Sequence, residues 1–505
     1  MFYTYAYRVY DYFLTISIAG LPFAISMVVS RYQTLEDLHA VLLVRKVAQY
    51  LLLVTGIASF LALLALINPL ASFMNVEGNL EYYQNVRNVL FIVSFALLII
   101  PLLSCLRGFY QGIKEFTIPA FSMVLEQFAR VTFLLTSAYI CIMVLHTAPI
   151  TAVYWTVGAA TFAGVCSLAY ILLMDISRYK TLKEQSQQQA ETKVVPKTIL
   201  KELVISSLPF VLSSLLVEAN MLINLLFFNQ AMYARGHQES YIKLVDSILH
   251  FSAVKINAIP QVLALGFGVA IIPIITSSLV RKDFDLMRKQ ANDVLNTSSY
   301  IALPIVFCVA YFSKAFYSIL FGYEHYIIGA EVLVWASVMG ITGSVFPLMS
   351  SVAMATRLRR KHLVVLVIGF IIKVTSVYPL IYLIGYPGAP LSTALSATFI
   401  FIMNMYLTKK TYRISYRNYY FNVLKMLLAV AVMFAVAELV KALGLSFNYQ
   451  RQSHDFLILA IYGFCTCGAY LVVTYLLKLP QLIFDFNLTS LLKSLKKEAT
   501  QKTEI

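Results

Sequence analysis

Long apolar runs recur from one end of this chain to the other, and no other feature narrows its fold so far. About 20 helical residues cross the roughly 30 Å of hydrocarbon in a bilayer. Inside that layer each backbone N–H and C=O must find its partner within the protein, which leaves helices or closed barrels. The short alternating segments of a membrane barrel do not occur here. The sequence therefore predicts an all-α polytopic membrane protein with thirteen spans, at 12–30, 47–74, 84–105, 119–145, 150–174, 199–228, 249–280, 295–320, 328–355, 362–384, 387–408, 420–443 and 455–478. Charged residues make up only 12% of the chain, against about 25% in soluble domains.

The net charge of +15 does not point to nucleic acid, because of where the charges lie. One set of alternate connections comprises 31–46, 107–118, 176–201, 281–291, 357–362, 409–418 and the tail from 478, and holds 28 Lys and Arg. The opposite set, from 1–11 to 444–455, holds 5. By the positive-inside rule the first set faces the cytoplasm, so the C-terminus is expected inside and residue 1 outside a plasma membrane. The opening, MFYTYAYRVYDYF, resembles the aromatic rim of a membrane helix. An outside start is awkward, and a helix preceding Met1 would restore an even count; the chain is expected to lack that first helix.

The segments 178–198 (Gln-rich, charged) and 480–505 read as a cytoplasmic linker and an amphipathic tail. They bound an N-terminal lobe at 1–177, a C-terminal lobe at 199–418 and two further helices within 419–479. The lobes are expected to be a parallel repeat. With an offset of 246 residues, Gly20, Ala24 and Ile25 fall on Gly266, Ala270 and Ile271, Asp37 on Asp283, Ser72 on Ser318, and Pro101, Leu102 and Ser104 on Pro347, Leu348 and Ser350. The six cysteines lie in or beside apolar runs and read as small packing residues; no metal site is expected.

Charges within the spans are costly, on the order of 2.5–3.5 kcal/mol each on insertion scales, unless paired or hydrated. Arg130 and Lys373 lie mid-span. Glu126 precedes Arg130 by one helical turn, so the two form either a neutralised packing pair or a pair facing a wet cavity. Lys373 has no acid in its own span; Glu218, with Asn220 and Asn224 nearby, is its expected partner, and Glu218 could instead accept a coupling cation. Lys314, Lys425 and Lys441 sit near span ends, where long side chains reach the interface.

The segments AGLPFAIS, RGFYQG at 107–112 and EQFARV at 126–131 resemble the polysaccharide-flippase branch of the multidrug/oligosaccharidyl-lipid/polysaccharide exporter superfamily, and within it the SpoVB- and MurJ-type lipid II flippases. The resemblance runs from about Tyr5 to about Leu479. It implies two six-helix lobes plus two helices around a cationic cavity that opens to each side in turn. The chain departs from the family in its first helix, so the cavity cations carried there are not assigned. A basic, cavity-facing position of the family matches Lys255, and one at the start of its second helix matches Arg8, which could instead anchor at the interface among tyrosines. Asp11, three residues on, reads as a group that orients Arg8 or binds a cation, or as a solvated rim residue. The resemblance thus implies a membrane flippase for a polyprenyl-diphosphate-linked saccharide. Arg8, Lys255, Arg130 and Lys373 are its candidate cavity cations, with Asp11, Glu126 and Glu218 as charge or coupling partners. Charge-assisted hydrogen bonds from such cations would replace part of the diphosphate's hydration.

Arg107, Gly108, Gln111, Gly112 and Lys114 are read as a helix-ending turn and inner gate. The small residues Gly20, Ala24, Gly266 and Ala270 would permit close backbone approach. No cofactor is expected; membrane potential, H+ or Na+ stay open as energy sources. The expected partners are the lipid-linked substrate, the bilayer and cell-wall synthesis proteins. Two other functions remain in play: a cation-coupled multidrug exporter of the same superfamily, and a non-transporting envelope scaffold. An enzyme is disfavoured. Asp283-Phe284-Asp285 spells an acidic transferase pattern but lies in a short basic loop, and no P-loop, HExxH or nucleophile elbow occurs.

Overall fold

The structure is a computed structural model that describes residues 13–484 apart from 15–17, 19, 75–79, 190–193 and 357. It contains α1 (Leu21–Thr34), α2 (Leu38–Met74), α3 (Leu80–Ser94), α4 (Ala96–Gly112), α5 (Thr117–Tyr139), α6 (Pro149–Gln187), α7 (Pro196–Ala234), α8 (Glu239–Ser247) and α9 (Ala253–Val280). Then come α10 (Phe284–Tyr311), α11 (Ser313–Phe321), α12 (Tyr326–Ala355), α13 (Arg359–Ile384), α14 (Gly388–Tyr412), α15 (Arg417–Ala442), α16 (Gln452–Leu476) and α17 (Leu479–Phe484). Single π-helical turns, Ile140–Val144 and Ile248–Ser252, follow α5 and precede α9. No strand occurs among the described residues.

Eleven helical segments among the described residues are long and apolar enough to cross a membrane. The two remaining sequence spans, 12–30 and 199–228, fall on α1 and α7, around which some residues or side chains lie outside the description. Large side chains such as Phe128 and Phe464 stand 70% and 84% exposed. That outward apolarity suits a lipid surround, because hydrocarbon exacts no penalty for it.

The expected linker is shorter than its polarity suggests. α6 continues through RYKTLKEQSQ to Gln187, and α7 restarts at Pro196. Arg, Lys, Leu, Glu and Gln are good helix formers, and no Gly or Pro interrupts them before Pro196. Hydropathy marks where the bilayer ends, not where the helix does.

The chain divides into two compact units. The first comprises residues 1–218, 272–283 and 354–363; the second comprises 219–271, 284–353 and 364–505. In the first, Ile25, Val28 and Val29 of α1 pack with Val41, Val44 and Leu52 of α2, Leu103, Leu106 and Phe109 of α4, and Ile199 and Leu203 of α7. In the second, Phe228 and Met232 of α7 pack with Val245, Leu249 and Ile256, with Val332, Leu333 and Ala336 of α12, and with Val377 and Ile381 of α13. α15 and α16 pack on α10 through Met426, Met433, Tyr470 and Tyr300.

The repeat is visible at atomic detail. α1 ends with Glu36 in the left-handed region, φ 59°, and the Asp37 N–H bonded to the Tyr32 carbonyl at 3.1 Å. α9 ends with Lys282 at φ 59° and the Asp283 N–H bonded to the Ser278 carbonyl at 3.0 Å. Both terminations fall 246 residues apart, the offset read from the sequence. Pro101 and Pro347, also paired by that offset, both lie inside helices.

Candidate functional site

In the first unit the expected Glu126–Arg130 pair is present, with a second cation added. Arg130 Nη2 donates to Glu126 Oε1 at 2.6 Å, and Arg107 Nη2 donates to Glu126 Oε2 at 2.8 Å. Arg107 also donates to Ser122 Oγ at 2.9 Å and Ser167 Oγ at 2.9 Å, and those hydroxyls share a 2.6 Å hydrogen bond. Glu126 is buried, Arg107 nearly so, and the Arg130 side chain is 27% exposed. Two guanidinium groups thus share one carboxylate, and the cluster carries one excess positive charge.

The assignment of Arg107 to a turn needs correction. Arg107, Gly108, Gln111 and Gly112 all lie within α4, and only Ile113 and Lys114 form the turn. The glycines serve packing. A Cβ on Gly108 would lie 2.7 Å from the Pro22 carbonyl oxygen, and one on Gly112 would lie 2.6 Å from Val29 Cβ. With that face of α4 against α1, Arg107, about 100° round the helix from Gly108, reaches α5 and α6 instead. Gln111 is buried.

Lys114 occupies the turn in the left-handed region, φ 66°. Its ammonium donates to Ser277 Oγ at 2.8 Å. Burial, then the charge of Arg281, pulls its pKa below the usual lysine value. Nearby contacts of the same unit include Ser30 Oγ to the Pro273 carbonyl at 2.7 Å, Arg359 to Ser206 Oγ at 3.0 Å, and Arg31 to Glu202 at 2.5 Å.

Lys373 is fully buried in the second unit. Its ammonium donates to Asn224 Oδ1 at 2.6 Å, Ser392 Oγ at 2.6 Å, Thr393 Oγ1 at 2.7 Å and the Ala389 carbonyl at 3.3 Å. The partners are neutral oxygens of α7 and α14, and Asn224 comes from the helix expected to supply one. The side chain of Glu218 lies outside the described residues. As placed, Lys373 offers no free N–H for a ligand, unlike the cavity cation expected of it.

Lys255 sits in the first turn of α9, just past the π-helical turn Ile248–Ser252, and is exposed. Its ammonium lies over the Phe251 ring, 3.5 Å from the centroid, a cation–π contact, and among the described residues it joins no ion pair. Arg8, its expected counterpart, and Asp11, read as a partner of Arg8, lie outside the described residues. The acidic motif has structural duties. The Asp283 N–H caps α9 as above, and Asp285 accepts from Arg288 at 2.7 Å while Arg288 Nε holds the Tyr412 carbonyl at 2.9 Å.

Sequence reasoning missed a second buried pair. Arg45 Nη2 pairs with Asp175 Oδ2, Tyr110 donates to Asp175 Oδ1 at 2.6 Å, and the Arg45 guanidinium lies 4.3 Å from the Tyr179 ring centroid. Counting Arg45 among loop charges concealed it, since α2 already begins at Leu38. Among the described residues no group of three His, Cys, Asp or Glu could hold a metal.

Solved structures share this fold. An outward-facing multidrug resistance MATE family transporter of the MOP superfamily superposes with a TM-score of 0.64 at 15% identity, covering 81% of this chain and 87% of that one. A MOP superfamily transporter from Pyrococcus furiosus, described as having a binding pocket of reversed polarity, gives 0.64 at 15% identity over 82% and 88%. The chain is a multi-pass membrane protein with the fold of those transporters.

Among curated proteins it is similar to the lipid II flippase MurJ of Bacillus subtilis, 29% identical over 492 residues, 96% of this chain and 90% of that protein. An uncharacterized membrane protein of the same organism, YabM, is 25% identical over 283 residues, 55% of this chain and 50% of that one. No protein-family model matches.

Proposed function

We propose that the chain moves a polyprenyl-diphosphate-linked saccharide, lipid II or a similar cell-wall precursor, from the inner to the outer leaflet by alternating access through a cationic cavity. The observation that carries this reading is the similarity to a lipid II flippase along 492 residues. The charge pattern supports it. Glu126 is held by two arginines, which leaves an excess cation in that cluster rather than the free acid a cation-coupled drug exporter would use. Lys255 is exposed, and among the described residues its charge is met by a ring face and no acid.

In this reading Arg8 and Lys255 hold the diphosphate in turn, and Arg130 adds positive potential from the edge of its cluster. Lys373 serves to tie α13 to α7 and α14. The prenyl chain stays in lipid throughout. The C-terminus faces the cytoplasm, and membrane potential, H+ or Na+ drives the return of the empty carrier.

The test is complementation and transport. The chain, expressed in Bacillus subtilis depleted of its own lipid II flippase, should restore growth, and proteoliposomes holding it should expose labelled lipid II to an outside reagent. A chain that reaches the membrane yet does neither overturns the reading.

A further inference from the structure

A recess of about 850 Å3 opens between the end of α14 and the start of α15. One end is basic. Lys409, Arg413 and Arg417 line it, all three exposed and none in an ion pair among the described residues. Its other end is apolar and open, with Ile402 and Leu424, both exposed, each seven residues further along their helices, roughly 10 Å at 1.5 Å per residue.

We propose that this recess binds an anionic glycerophospholipid, its phosphate held by Lys409, Arg413 and Arg417 and its acyl chains laid along Ile402 and Leu424. Two observations and two general principles converge on that ligand. The cations cluster at the connection between two spans, which is the depth of the headgroups. Basic pockets between membrane helices on the positively charged side suit anionic headgroups, and guanidinium groups match phosphate oxygens two at a time. The exposed apolar wall at Ile402 and Leu424 would be of no use to a soluble anion.

The site is also built rather than loose. The backbone at Arg413 is left-handed, φ 56°, and its N–H bonds the Lys409 carbonyl at 2.9 Å, which brings the two side chains to the same end of α14. From α10, Arg288 holds the Tyr412 carbonyl at 2.9 Å and Asn292 holds the Ser415 carbonyl at 3.1 Å. Arg417 lies 5.6 Å from the Phe421 ring centroid, which steadies its guanidinium at the rim. The chain's own tail is a poor occupant, because Lys493, Lys496 and Lys497 bring like charge.

Native mass spectrometry of the full-length protein, with phosphatidylglycerol and phosphatidylcholine as probes, tests this independently of any transport activity. The expected result is at least a tenfold preference for phosphatidylglycerol. K409Q/R413Q/R417Q should abolish it, and K180Q/K183Q/K201Q, which removes three exposed charges elsewhere, should leave it intact. Inorganic diphosphate should displace little of the bound lipid.

The proposal is overturned if the recess triple variant keeps the preference, or if the control loses as much, which would mean diffuse attraction. It is equally overturned if inorganic diphosphate competes as well as the lipid. Tenfold tighter binding of a prenyl diphosphate through these residues would overturn it too, by making the recess a substrate entry. Should the triple variant not fold, R413Q and R417Q singly must each weaken phosphatidylglycerol retention several-fold with unchanged melting, and failure of both to do so decides against the site.

Discussion

Arg107 and Arg130 grip opposite oxygens of the same carboxylate, that of Glu126, at 2.8 and 2.6 Å. One acid thus holds three helices together: α4 through Arg107, α5 through itself and Arg130, and α6 through the Ser167 hydroxyl that Arg107 also reaches. The arrangement is asymmetric in consequence. Arg130 can be lost while Glu126 stays neutralised, but Glu126 cannot be lost without leaving two cations facing each other.

Glu126→Ala is therefore expected to destabilise strongly, by about 3–5 kcal/mol, as when one partner of a buried pair is removed. Arg130→Ala should cost far less. Thermal melting of detergent-purified protein checks both. Equal melting shifts for the two substitutions would show that Arg107 does not carry the pair in solution.

Lys373→Met removes three good hydrogen bonds from oxygens that lie inside the fold. Ser392 and Thr393 keep a partner, since both hydroxyls also donate to the Ala389 carbonyl. Asn224 is left with its amide oxygen unmet, a penalty of about 1–3 kcal/mol. Adding Asn224→Leu to Lys373→Met should recover part of that loss in a double-mutant cycle. Additive melting shifts would mean the two side chains do not meet.

The parts legible in the sequence were those written in local pattern. Apolar length disclosed the spans, and the 246-residue offset disclosed a repeat whose helix endings, at Glu36 and Lys282, share one conformation. Glu126–Arg130 was legible because both lie one turn apart on a single helix. Arg107 was not, because its partner is 19 residues away on another helix, and positive-inside counting had already placed it outside the membrane. Arg45–Asp175 was hidden for the same reason, at a separation of 130 residues. Polarity also mislocated the end of α6, since charge ends a span and leaves helix propensity untouched.

The two glycines matched by the repeat should respond in opposite ways to alanine. Gly20 has φ 68°, and a Cβ there would fall 2.2 Å from Phe210 Cβ. Gly20→Ala is strained in both backbone and packing, and a loss of about 1–3 kcal/mol or more is expected. Gly266 is helical, with nothing within 4 Å of an added Cβ, so close backbone approach, expected of both, is found at Gly20 alone. Gly266→Ala should be neutral or stabilising by about 0.5–1 kcal/mol through lower chain entropy. Melting curves of the two variants suffice; a destabilised Gly266→Ala would reveal a close contact absent from this conformation.

Lys255 separates function from stability. Its ammonium is exposed and stacked on Phe251, an interaction of about 0.5–1 kcal/mol at such a site, so Lys255→Gln should melt close to the parent. If Lys255 supplies a charge-assisted contact to a diphosphate, losing it removes about 1.5–3 kcal/mol of binding. That is roughly a ten- to hundredfold reduction. Rescue of flippase-depleted cells and lipid II exposure in proteoliposomes should fall accordingly, with Lys255→Arg retaining most of both. Full activity in Lys255→Gln at matched expression would remove Lys255 from the transport path, and a parallel loss of melting temperature would reassign it to holding the π-helical turn before α9.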